Sequence, residues 1–426
     1  MGSVIENGHL IDPLNKVDCI TSIYIDDDKI AGIGKPPKNF SANNVIDATN
    51  KIVCPGLVDL SARLREPGSE YKATILSETR AAVSNGITIL CCPPDTNPVI
   101  DSSAIVELIN QRAESANLAK VYCLGALTHA LGGETLANIN TLKHAGCVGV
   151  SNAYMPITNT AILRRALEYA KTCNVTVHLF CEDSFLGNNG IIHEGPMSVR
   201  LGLAGIPDSA ETIAISRVLL LLEQTGTRVH FCRLSSARSL KLVAAAKQQG
   251  LPVTADVGIS HLFLSDVDTA NFNSLCHLRP PLRSGFDRDE LMSAVVNGTI
   301  DAICSDHQPH DEDAKAVPFG QTEAGASTVD VLLPLVLEKV RAGKIDMNQA
   351  ISAITHQPSA ILGVSAGHLG KGAPADVCIF DPDMSWQLNK QNIHSQGKNS
   401  PFLGWELQGR VTRTLVDGIT VFEMEK

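Results

Sequence analysis

Residues 53–68 read VCPGLVDLSARLREPG. The apolar, valine- and leucine-rich first half predicts a buried β-strand over 53–64. Along a strand, residues i and i+2 share a face, so Ser61 and Arg63 point the same way at the strand's C-terminal end. Neither is a metal ligand. A hydroxyl binds zinc poorly, and a guanidinium has no lone pair to give and carries the metal's own sign of charge.

Seven further apolar runs follow, at 86–92, 120–126, 148–153, 176–181, 228–234, 252–257 and 301–305. Helical patterns separate most of them, at 73–85, 103–116, 159–173, 209–225 and 236–249. Eight strands alternating with helices predict an α/β fold, a (β/α)8 TIM-like barrel, over residues 51–372. The Gly-containing stretch 182–207 is too long for a simple connection and reads as an insertion. Residues 1–50 and 373–426 instead carry short strand patterns broken by turns, such as ADVCIFD and GRVTRTLVDGITVF. A lone hairpin is marginal in water, so the two ends are expected to pair as one small β-sandwich. The segment 395–401 reads as a loop.

The chain is 44% hydrophobic but only 4% aromatic, the composition of an aliphatic core. Its formal net charge of −10 argues against a nucleic-acid or anionic-membrane surface, which needs clustered Lys and Arg. No apolar run is long enough to span a membrane. The first residues, MGSVIENGHL, resemble no leader, so a cytoplasmic location is expected. The twelve cysteines form no CxxC pair. Several lie inside apolar runs, where a reduced cysteine behaves as a small hydrophobe, and the adjacent Cys91 and Cys92 are expected on opposite strand faces. Thirteen histidines include no HxH or HExxH. The close pair is His307 and His310, in SDHQPH. The stretches at 186–192 and 131–134 lack the strand–turn–helix context of a phosphate loop.

The motifs PGLVD…LREPG, GIPDSAE, RPPLRS, GTIDAICSDHQPH and KNSPFLG together resemble the dihydroorotases of the amidohydrolase superfamily over nearly the full chain. The resemblance implies a zinc site at the C-terminal ends of the barrel strands, and its ligand positions can be followed one by one. The family's His-x-His on the first strand is Ser61 and Arg63. The segment that supplies its bridging carboxylate or carbamylated lysine is Asn152–Ala153. Its fifth-strand histidine is Phe180, and the metal-binding histidine of its sixth strand is Arg233. Asp306, in the eighth-strand motif, alone is kept. Of the residues that hold the substrate carboxylate in active relatives, Arg65 and His310 are matched. Two asparagines are replaced, by Asp95 in PPDTNP and by Arg279 in RPPLR.

This pattern most resembles the non-catalytic dihydroorotase-like chains of some bacterial aspartate carbamoyltransferases. It implies a metal-free pseudoenzyme without cofactor, with vestigial Asp306, that partners a transcarbamoylase chain in pyrimidine synthesis. The alternative is an active cyclic amidohydrolase with a mononuclear site built from Asp306, His307 and His310. A third possibility is a self-assembling scaffold like the metal-free dihydropyrimidinase relatives. Three structural expectations accompany the leading reading. Arg63 and Arg233 replace the metal's charge beside Asp306, and Phe180 fills the space of its missing imidazole. His178 is a hydrogen-bonded core histidine, and His230 a packing residue on the strand face opposite Arg233. Glu182 and Asp183, facing opposite ways, have structural or loop-capping roles.

Overall fold

The computed structural model describes residues 2–425. Its centre is an eight-stranded parallel sheet whose strands follow one another in chain order: Leu57–Asp59, Ile87–Cys92, Lys120–Ala126, Gly149–Ser151, Val177–Phe180, Val229–Cys232, Val253–Gly258 and Ala302–Cys304. Helices such as Ser103–Ala116, Thr160–Thr172 and Ala237–Gln248 connect successive strands. The first and last strands do not form a regular ladder. Beyond their ends Ala62 bridges His307, with Arg63 N donating to His307 O at 2.9 Å and His307 N to Ser61 O at 3.0 Å. Buried Asp59 strengthens this seam by accepting from the Ser305 N–H and hydroxyl. The result is a nearly closed barrel.

Strand residues alternate between two apolar clusters. Leu57, Val177, Leu179, Val229, Phe231, Val253 and Ala255 join the large cluster under the helices. Val58, Leu60, Ile89, Cys91, Leu124, Ala302 and Cys304 form a second cluster inside the barrel. That period of two places His178, Phe180, His230, Cys232, Thr254 and Asp256 on the inner face. It also separates Cys91, inside, from Cys92, outside. All twelve cysteines are free.

The first expected strand is broken in two. Ile52–Pro55 pairs with Val377–Gln387 and His9–Asp12 in a six-stranded sheet outside the barrel, and only Leu57–Asp59 enters it. Gly56 lies between them, tight against the next strand: a Cβ there would lie 2.2 Å from Thr88 Oγ1 and 2.4 Å from Thr88 Cγ2. The six-stranded sheet faces a four-stranded one built from residues 2–47. Ile5, Ile23 and Ile25 from one sheet share a buried cluster with Leu10, Val53, Val377 and Leu415 from the other. Both chain ends contribute, and the unit reaches to Pro55, past the expected boundary at residue 50. Within 182–207 the chain forms a short helix, Pro196–Leu201, flanked by the paired strands Ile192–His193 and Gly205–Ile206.

Candidate functional site

The strand ends turn sharply at the barrel mouth. Arg65, Ala153, Arg233 and Asp306 all adopt left-handed backbone, with φ of 63°, 47°, 55° and 50°. Such conformations cost energy for residues with a Cβ and cluster where side chains must be aimed. Here they bring together groups from strands far apart in sequence.

Asp306 stands at the centre. Its Oδ1 lies 3.4 Å from Arg233 Nε and 3.9 Å from Arg63 Nη1, and accepts from the Ser61 hydroxyl at 3.3 Å. Ser61 Oγ in turn accepts from Arg233 Nη1 at 3.0 Å. Arg63 also donates from Nε to Asp95 Oδ2 at 2.9 Å. Both guanidiniums are buried. The two arginines therefore flank the remaining carboxylate, as the charge-replacement idea expects. Burial still pushes Asp306 up to about 6, against the opposing pull of Arg233 and Arg63. The cations offset only part of the desolvation cost.

A tyrosine the sequence reading passed over organises the rest. The Tyr154 ring lies under three guanidinium carbons, Arg63 at 4.3 Å, Arg233 at 5.0 Å and Arg279 at 5.2 Å. Its hydroxyl donates to Arg279 O and accepts from Gln308 Nε2, both at 2.8 Å. Phe180 packs edge-on against it, with centroids 4.7 Å apart. Phe180 thus serves as one wall of a cation–π stack. Arg279 donates to Glu182 Oε1 at 2.7 Å, so this carboxylate has a structural partner, while Asp183 caps the backbone of Phe185 and Leu186. Asn152 and Ala153 contribute nothing to the cluster. The Asn152 amide bonds Thr128, Leu131 O and Met155 O, stapling two loops.

Arg65 and His310 remain in contact, with Arg65 Nη2 3.0 Å from His310 Nε2 and Arg65 Nε donating to Pro309 O. Lys72 Nζ lies 3.3 Å from His310 Nδ1 and binds Glu323. Burial, then the charges of Arg65, Lys315 and Lys72, pushes His310 down to about 2, so it stays neutral. His307 turns away from the mouth. Its Nε2 is 2.6 Å from Glu78 Oε2, and its Nδ1 accepts from Thr328 N and Val329 N. Asp306, His307 and His310 therefore do not converge on one point.

One layer deeper, two histidine expectations are corrected. His178 Nε2 is buried with no hydrogen-bond partner, because the ring packs over Gly149, which has no side chain to offer. Burial, with His230 and Arg233 nearby, holds it neutral. His230 faces the barrel interior as a polar link: Nδ1 meets Thr254 Oγ1 at 2.9 Å and Nε2 meets Asp256 Oδ2 at 3.0 Å. Asp256 Oδ1 accepts from Arg233 N.

Comparison with known proteins agrees with this architecture. A family model described as dihydro-orotase-like matches residues 50–239. A dihydroorotase-like protein of Pseudomonas putida is 48% identical over 409 residues, covering 96% of each chain. The chain belongs to the dihydroorotase-like family. A dihydroorotase-like protein of Pseudomonas aeruginosa is 47% identical, over 97% of this chain and 98% of that one. A dihydroorotase of Geobacter sp. is 39% identical, over 99% of this chain and 100% of that one. Among solved structures, an L-hydantoinase (dihydropyrimidinase) from Arthrobacter aurescens superposes with a TM-score of 0.89 at 22% identity, covering 99% and 96% of the two chains. That likeness establishes the shared fold.

The family implies zinc at the mouth, and the residues of this dihydroorotase-like chain do not fit it. A zinc centre needs three or four N, S or O donors around one point. The six expected positions other than Asp306 supply a hydroxyl, an amide that is fully engaged, a methyl group, a phenyl ring and two guanidiniums. Among the described residues, one set of three His, Cys or carboxylate side chains has donor atoms within 4.8 Å of one another: His178, His230 and Cys232, below the mouth. Both ring nitrogens of His230 are already bonded to the neighbouring strand.

Proposed function

We propose that this chain is a non-catalytic dihydroorotase-like subunit, retained for its shape, that assembles with the catalytic chain of aspartate carbamoyltransferase in pyrimidine biosynthesis. The observation that carries the first half is the Arg63–Asp306–Arg233 cluster. Two buried guanidiniums stand where the reaction would need a metal-bound nucleophile, and a cation that cannot be deprotonated in a protein cannot act as general base. The reading that Asn152, Ala153 and Phe180 are former ligand positions completes the set. Asp95 and Arg279 add a second reason. An acceptor-only carboxylate replaces an amide donor where an anionic substrate would sit, and Arg279 is committed to Glu182.

The assembly half rests on the resemblance of the motif pattern to the non-catalytic chains of bacterial aspartate carbamoyltransferases. The twelve free cysteines suit a reducing cytoplasm. In this reading the two chain ends, the first reaching to Pro55, form a sandwich domain beside the barrel.

Two measurements test the proposal. Purified protein should show no stoichiometric zinc by elemental analysis and no hydrolysis of dihydroorotate; zinc with turnover would overturn the non-catalytic reading. Co-expression with the transcarbamoylase chain of the same cell should yield one large hetero-oligomer by mass measurement. A stable monomer that ignores that chain would overturn the assembly reading.

A further inference from the structure

An open cavity lies at the opposite end of the barrel from the mouth, under the N-terminal ends of the fourth to seventh strands. Its volume is about 830 Å³, within the range of small-molecule sites. One wall is apolar, made by Val148, Leu251 and Pro252 with Ile361 and Leu362 at the end of the helix His356–Leu362. The polar groups on the other side are Lys143, Asn174, Thr176, Arg228 and Thr254. No carboxylate lines the cavity.

Its cations are short of partners. Among the described residues, neither Lys143 nor Arg228 makes an ion pair. Lys143 Nζ is held by Cys173 O at 2.8 Å. Arg228 makes only two long contacts, Nε to Thr176 Oγ1 at 3.4 Å and Nη2 to Asn174 O at 3.3 Å. A guanidinium presents five N–H donors, and Arg228, like Lys143, is exposed to solvent on the cavity's polar side, leaving donors available to a ligand. In a protein of net charge −10, an acid-free cavity with two unpaired cations and an apolar wall has a definite chemical preference.

We infer that the barrel floor is a binding site for an organic anion: a carboxylate, sulfonate or phosphate on an apolar, ring-sized body. The anionic group pairs with Arg228 and Lys143, and the body lies against Leu251, Pro252 and Leu362. The inference is independent of the mouth and of any partner chain.

Titration of the full chain with 1-anilinonaphthalene-8-sulfonate, read by fluorescence, tests it. One saturable phase is expected. Arg228→Ala should weaken it by about tenfold or more, the value of one charged hydrogen-bonding group. Ala360→Trp, from an exposed position on the rim, should abolish it by filling the cavity. The uncharged analogue N-phenyl-1-naphthylamine should bind about tenfold more weakly than the sulfonate. Unchanged thermal midpoints would show that both variants fold. Absence of a saturable phase, equal affinity in Arg228→Ala, survival of binding in Ala360→Trp, or equal binding of the uncharged analogue would each overturn the inference.

Discussion

Arg63 answers to two carboxylates, Asp95 at 2.9 Å and Asp306 at 3.9 Å, from a nearly solvent-free position. Removing one partner of a buried pair costs about 3–5 kcal/mol, because the other charge is left uncompensated. Arg63→Met should therefore destabilise the chain by an amount in that range in chemical denaturation. Adding Asp95→Asn should recover part of the loss, and a double mutant no better than the single would refute the coupling. Asp306 sets a pH dependence of definite sign. Its folded value, about 6, lies above the ordinary 3.8, so the folded state holds the proton more tightly than the unfolded chain. Its contribution is fully present below pH 3.8 and is lost as pH rises through about 6. Buried Asp59, also raised to about 6, acts in the same window. From pH 4 to 7 the parent's stability should fall relative to that of Asp306→Asn, whatever the substitution itself costs through Arg63 and Arg233, and thermal midpoints of both proteins across that window check it. At this scale the resemblance pointed to which ligand positions differ, because they sit inside recognisable motifs. It could not show what replaced them. Tyr154 directly follows Asn152–Ala153 with no role of its own in that motif, and Arg279 meets Glu182 across 97 residues, so the fold alone brings such groups together.

The strands were legible because their inner and outer faces are both apolar, giving β-branched runs that stand out from the helices between them. Apart from the first, whose barrel part ends at Asp59 and not at residue 64, their ends fall within about two residues of expectation. The break at Gly56 was not legible, since VCPGLVD is apolar on both sides of it, and the crowding there comes from Thr88, a strand away. Gly56→Ala should cost about 1–3 kcal/mol by overpacking, as Thr88 is fully buried and cannot move aside. Thr88→Ala in the same chain should return part of that loss, because it removes the two closest atoms. Equal stability of Gly56→Ala and the parent would show that the strand is not pinned there. His178 was misread for a related reason: its partner would have to come from Gly149, and the absence of a side chain is invisible from the histidine's own sequence neighbourhood.

Across the whole molecule, on the proposed reading, the charge at the barrel mouth is supplied by the chain itself. Exhaustive dialysis against EDTA should leave the thermal midpoint and far-UV circular dichroism where they were; a drop of several degrees would show that a metal contributes after all. The α/β barrel and the pairing of the two chain ends could both be anticipated from patterning, because each element must bury its apolar face against another. The floor cavity could not, since its lining comes from the beginnings of strands that carry no shared motif.

On the proposed non-catalytic reading, the Arg63–Asp95 pair also bears on history. Restoring histidine at position 63 alone would strand Asp95 without its counter-charge, and restoring asparagine at 95 alone would leave Arg63 half-paired beside Arg233. In that reading each single step back leaves a charge without its partner, as coupled substitutions do. With Arg279 tied to Glu182 and Tyr154 stacked beneath three guanidiniums, a lineage that has crossed to this arrangement has a ratchet behind it. Its path back to a metal-binding mouth needs several changes at once.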